Sequence, residues 1–243
     1  MDFTRVRHTL LPTAPHITDY RHPAPPLRPV WRGRQHALAL ILLTPILTWI
    51  TIVCFMRTNH PMALIKIPVL LYALSLIAVL AISASYHLAA RTPRSQAVMQ
   101  RLDRATIYLL IAGTTTPVLM TVVYPDHHAL ALTLLTFTWT VTITGILLRS
   151  LNRLPKTSYA LYLVLGWMGI IAAPAMWNYN HLVFMLILAG GIVYTLGSIT
   201  FATHHPDPKP THYGYHEVFH SCTLGGIALH LSAIALLIIP IAS

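Results

Sequence analysis

The chain has 243 residues, of which 16 are Lys or Arg and 6 are Asp or Glu, so 9% carry charge where a soluble domain carries roughly 25%. With 55% hydrophobic residues and a mean hydropathy of +0.63, it holds more apolar surface than one soluble core of this size can hide, which excludes an ordinary water-soluble globule and makes lipid a second solvent. Cys54 and Cys222 are the only cysteines, too few for a disulfide framework, and both fall in apolar runs where a free thiol acts as a small hydrophobe.

Residues 1–35 hold six Arg, six Pro and no long apolar stretch, the composition of a flexible basic tail without a signal-peptide core. Residues 36–243 read as a membrane domain. It contains seven mainly apolar runs, 37–55, 67–89, 105–123, 129–148, 159–177, 182–202 and 217–239, each long enough to cross about 30 Å of hydrocarbon as a helix. Polar, Pro-bearing or Asn-bearing breaks separate them, at Arg57 to Pro61, Arg91 to Arg94, Tyr124 to Asp126, Asn152 to Lys156, Asn178 to Asn180 and His204 to Tyr215. The predicted fold is an all-α, seven-helix, up-and-down bundle. Pro45, Pro117 and Pro174 read as kinks, and Gly166 with Gly169, Gly190-Gly191 and Gly225-Gly226 as positions of close helix packing.

Charge sets the expected orientation. Arg5, Arg7, Arg21, Arg28, Arg32 and Arg34 precede the first span. Arg91, Arg94, Arg101 and Arg104 follow the second, Arg149, Arg153 and Lys156 the fourth, and Lys209 the sixth. The alternate connections hold only Arg57 and Lys66. Fourteen against two places the N-terminus in the cytoplasm and the C-terminus outside. The net charge of +10 is then a topology signal with attraction to anionic lipid, and not a nucleic-acid footprint.

Ionisable groups near spans are costly and mark functional candidates. His216 and His220 lie four apart at the start of span seven, so both imidazoles share one helix face and reach a single ion, or form a hydrogen-bonded interface pair. Alternation of the spans puts Ser83 and His87 (end of span two) and Asp103 (start of span three) at the same depth and on the same side. Three histidines around a divalent ion leave a fourth position for water, as in catalytic zinc sites. Asp103 is placed to orient or deprotonate that water, and Ser83 to bond it or a developing oxyanion. The plainer readings are Asp103 as the N-cap of span three, Ser83 bonded to its own helix and Tyr86 as an interface aromatic. His204, His205 and His212 are expected in solvent, and His230, about 15 Å deeper than His220, in a hydrogen-bonded core position.

Three motifs in this order, Ser83-x-x-x-His87, Leu102-Asp103-x-x-x-Ile107-Tyr108-x-Leu110-Ile111-Ala112-Gly113-x-x-Thr116-Pro117 and His216-x-x-x-His220, resemble the hemolysin III proteins, bacterial members of the progestin and adipoQ receptor (PAQR) family. The resemblance covers residues 35–239. It implies a multi-pass protein of the bacterial plasma membrane with an intramembrane zinc near the cytoplasmic face, ligated by His87, His216 and His220, with Asp103 holding the zinc-bound water. Arg104 departs from the family pattern and is placed to pair with Asp103 or with lipid phosphate. The resemblance further implies a role in membrane-lipid homeostasis and kinship with ceramide-cleaving hydrolases.

Two functions of different class follow. The first is a zinc-dependent hydrolase of a lipid amide or ester, with Asp103 as base, Ser83 supporting the oxyanion and lipid entering laterally between helices. The second is a membrane-state sensor or receptor-like regulator in which zinc is structural and the coordination shell is closed. A pore-forming hemolysin would need a polar stripe along several spans, and the spans carry almost no charge.

Overall fold

The computed structural model describes residues 29–57, 64–151 and 158–242. The breaks expected at 58–61 and 152–156, and the tail before residue 29, lie outside them. Among the described residues eight α-helices follow one another: α1 (Arg34–Arg57), α2 (Lys66–Leu88), α3 (Pro93–Val118), α4 (His128–Ser150), α5 (Ser158–Trp167), α6 (Ala173–Tyr179), α7 (His181–Thr203) and α8 (Tyr215–Ala242). They make seven elements long and apolar enough to cross a membrane. α5 and α6 form one span, joined through a 3-10 turn, Met168–Ala172, just before Pro174. A proline there has no N–H to offer the carbonyl four residues back, and the helix re-forms around a different hydrogen-bond pattern. Pro117 acts similarly near the end of α3, which continues as a π-helical turn, Leu119–Val123.

The helices form a ring in which each packs on its sequence neighbours and α8 closes onto α1, while α3 also touches α5 and α8. α3 is the most buried span, and α1 and α7 present most of their apolar surface outward; Ile41, Met56 and Leu147 point away from the bundle, as lipid-facing residues do. The core is built by Leu47, Leu76, Leu80, Leu119, Ile234 and Leu237.

Two glycines set close approaches. A Cβ on Gly113 of α3 would stand 2.1 Å from the Ser75 Oγ of α2, and one on Gly190 of α7 2.3 Å from the His230 ring of α8. Small residues draw membrane helices together in this way. Gly226 meets the Tyr194 ring, whereas Gly166, Gly169 and Gly191 face open space and are not packing positions, which corrects the reading of those three.

α3 begins earlier than hydropathy suggests. Thr92 caps it, Ser95 returns the bond to the Thr92 N–H, and Pro93 occupies the first turn, a capping box with proline where no donor is needed. Three of the arginines assigned to a connection, Arg94, Arg101 and Arg104, are therefore helical.

Candidate metal centre

Four helix ends meet at one end of the bundle: the start of α1, the end of α2, the start of α8 and the first third of α3. Local chemistry fixes α8. Gly214 precedes its first turn, and the Glu217 carboxylate accepts the Gly214 N–H at 2.8 Å, the return half of a capping box. Glu217 is 1% exposed and is ion-paired with Arg32 Nε. That helix start places His216 and His220 one turn apart, facing His87 on α2.

His87 is 9% exposed and His220 2%. His87 Nε2 and His216 Nε2 are 3.3 Å apart, and one donor atom from each of His87, His216 and His220 lies within 4.8 Å of the others. Metal–nitrogen bonds of about 2.0–2.1 Å at tetrahedral angles set two ligand nitrogens roughly 3.3–3.4 Å apart, whereas protein hydrogen bonds centre near 2.9–3.0 Å. The separation is compatible with shared coordination of one ion as well as with a direct bond between imidazoles. The three expected ligands are thus brought together, with donor type, number and spacing suited to a metal ion.

Asp103 lies outside that donor set, with the Ser83 side chain beside its carboxylate. Ser83 is 2% exposed and one turn before His87, so the Asp103–Ser83 pair adjoins the histidines on the same face of α2. The N-cap reading of Asp103 is overturned: it lies ten residues inside α3, about 15 Å from the first turn. No ion pair joins Asp103 to Arg104. Tyr86 accepts from Gln100 Nε2 at 3.2 Å and, with Arg32, His87 and His216, lines an opening of about 160 Å³.

Two expectations away from the centre hold. His230 bonds the Ile187 carbonyl at 3.1 Å, and His204, His205 and His212 are exposed.

The sequence reading missed a fourth imidazole. His36, 3% exposed, stacks on His220 with ring centroids 4.0 Å apart and planes at 10°, and neither of its nitrogens has a hydrogen-bond partner among the described residues. It stands one turn into α1, at the same end as the other histidines, and the alternation argument that grouped those would have found it. Residues 29–35, drawn into the tail, are also part of the site's frame: the Val30 and Trp31 N–H groups donate to the Thr211 and His212 carbonyls at 3.2 and 3.1 Å, and Gln35 donates to Ser221 Oγ at 2.7 Å.

Residues 26–231 match the family described as Haemolysin-III related. The chain belongs to this family. Among its curated relatives, Hemolysin-3 of Bacillus cereus is 31% identical over 211 residues, covering 86% of this chain and 90% of the relative. The Hemolysin-3 homolog of Bacillus subtilis (strain 168) is 29% identical over 196 residues, 79% of this chain and 86% of the relative. The haemolysin-III match spans every element that carries the histidine cluster, and together with seven span-length helices it makes the protein an integral, multi-pass membrane protein.

Proposed function

We propose that this haemolysin-III protein is a zinc-dependent hydrolase of a lipid amide or ester, acting in membrane-lipid homeostasis. The observation that carries the reading is the 3.3 Å separation of the His87 and His216 nitrogens, with His220 completing the set. Imidazole donors suit zinc, and zinc bound there would supply Lewis acidity toward a carbonyl oxygen and toward water.

The chain's own groups have separable tasks. His87, His216 and His220 hold the ion. The Asp103 carboxylate, in the bundle beside them, accepts a proton from water as the base. Ser83 stands beside Asp103, and we assign its hydroxyl the role of orienting the base in preference to stabilising an oxyanion. Arg32 and Tyr86 line the opening toward the histidines, through which a lipid carbonyl would approach. The fourteen-to-two division of Lys and Arg supports an orientation with this end of the bundle in the cytoplasm. The relatives' names call them hemolysins; against a lytic pore stands the gathering of buried charge at one end of the bundle.

The test has two stages. Elemental analysis of purified protein is expected to find about one zinc per chain and a loss of it in His220→Ala; equal metal in both removes the centre. Asp103→Asn is then expected to keep zinc while release of fatty acid from ceramides and phospholipids falls by roughly 10² to 10⁴. Zinc-loaded wild type that releases nothing from any lipid supports the sensor instead.

A further inference from the structure

Residues 32–36 touch both helices that carry the three histidines. Arg32 is ion-paired with Glu217, next in the chain to His216, and Gln35 donates to the hydroxyl of Ser221, next to His220. Gly33 crosses over His87. Its φ of +78° is a left-handed conformation open to glycine, and a Cβ there would stand 2.5 Å from the His87 Cβ. The chain thus arrives at His36, in the first turn of α1, with its backbone already fixed against α2 and α8.

What His36 presents to the centre is the flat face of its ring. Its centroid is 4.0 Å from that of His220, and the two planes differ by 10°. The other rings about His220 are tilted or edge-on to it, His87 at 57°, His216 at 49° and Phe219 at 69°. The outer torsion of a histidine is broad and roughly two-fold, so the α8 backbone alone leaves the plane of a ligand imidazole loosely set. A parallel plate removes that freedom, because rotation of the His220 ring drives its edge into the face of His36. The same geometry keeps His36 out of the donor set. A ring nitrogen offers its lone pair within the plane of its ring, and two nearly parallel planes so far apart do not meet at one ion. Among the described residues the donors gathered within 4.8 Å are His87, His216 and His220.

We propose that His36 is a positioning residue of the metal centre: stacked on His220, it holds that imidazole in the plane its donor nitrogen needs. The inference rests on the metal reading and adds to it a residue that touches a ligand and does not itself coordinate. Groups that orient metal ligands carry about 10- to 100-fold of the metal affinity. One that does so by stacking needs a flat ring and no nitrogen.

Full-length protein in detergent is titrated with zinc against a competing chelator, and is loaded in parallel with cobalt(II), whose visible absorption follows ligand geometry. His36→Phe keeps a flat ring without nitrogens, His36→Leu fills the space without a flat face, and His36→Ala removes the plate. Leu47→Ala opens a cavity deeper in the same helix, where Leu47 is 1% exposed. Thermal unfolding of the metal-free proteins reports folding separately, and the Leu and Phe variants decide the matter if the cavity in His36→Ala prevents folding. His36→Ala and His36→Leu are expected to weaken zinc by about 10- to 100-fold and to shift the cobalt bands, whereas His36→Phe recovers most of both. Leu47→Ala is expected to lower the unfolding temperature with wild-type zinc affinity and cobalt bands. Wild-type affinity and bands in His36→Leu overturn the inference, and so does a His36→Phe that binds no better than His36→Leu. An equal loss in Leu47→Ala also overturns it, as a sign of general loosening of α1. Failure of the metal reading has a different signature: wild type then binds zinc no more tightly than His220→Ala, and this inference falls with it.

Discussion

The two ends of the bundle handle buried polarity by opposite means. At the histidine end lie all the buried imidazole and charged side chains among the described residues, His36, His87, Arg149, Glu217 and His220, and their neighbours join helices far apart in sequence: Arg32 to Glu217, Gln35 to Ser221, His87 to His216. Through the middle and toward the other end, most of the buried polar groups are hydroxyls that bond their own helix, Ser75 to Tyr72 O, Thr114 to Leu110 O, Thr116 to Ala112 O and Thr138 to Leu134 O, at 2.6–2.8 Å, and cross-helix bonds such as Trp139 Nε1 to Thr116 Oγ1 and His230 to the Ile187 carbonyl are the minority. A local bond needs no partner helix and specifies none; a cross-helix bond is made only when the bundle is assembled. Cohesion of the second region is left mainly to apolar contact, while the first sets the positions of particular atoms. A site for an ion belongs in the first kind of region.

The comparison can be broken first at Arg32. Removing its side chain leaves Glu217 buried with only the Gly214 N–H, and Arg32→Ala is expected to lower stability by about 2–4 kcal/mol, read by chemical or thermal unfolding in detergent. Arg32→Met/Glu217→Met is expected to recover most of that loss, since neither charge then remains buried; a double variant as unstable as the single one would show that the pair does more than balance charge. A smaller effect is expected from overpacking: Gly113→Ala drives a methyl group into Ser75 and is expected to cost about 1–3 kcal/mol, with no change in metal content. The smallest is expected at Thr138→Val. Its hydroxyl returns to a carbonyl already bonded within the helix, so no group is orphaned, and a change below about 1 kcal/mol is expected. A larger loss there would erase the distinction between the two regions.

The seven spans were legible because run length against membrane thickness is a coarse and strong signal. The convergence of His87, His216 and His220 was legible too, since alternating spans place the end of the second and the start of the seventh together. Three things escaped. The first helical turns of α3 are polar, with Arg94, Arg101 and Arg104 on them, so a hydropathy reading began the span at residue 105 and turned Asp103 into a cap; what starts the helix is the Thr92–Ser95 box, a local signal that hydropathy does not weigh. His36 and Arg32 fell on either side of a boundary drawn by composition, although a basic side chain with a buried acidic partner is part of the fold whatever its surroundings. The glycines divide as they do because packing depends on which face meets a neighbour: Gly190 meets His230 and Gly191, next in the chain, meets nothing.

The separation of the ligands along the chain governs when the centre can come into being. His87 and His216 are 129 residues apart, so at about 5–20 residues per second roughly 6–26 s of synthesis pass between the first ligand and the second, and His220 follows in the last span. During that interval an arrested or truncated chain has one imidazole of the three and no means of retaining an ion. On the proposed metal reading, capture of the ion is a late event in biogenesis and reports that the final helix has been inserted and has closed onto the first.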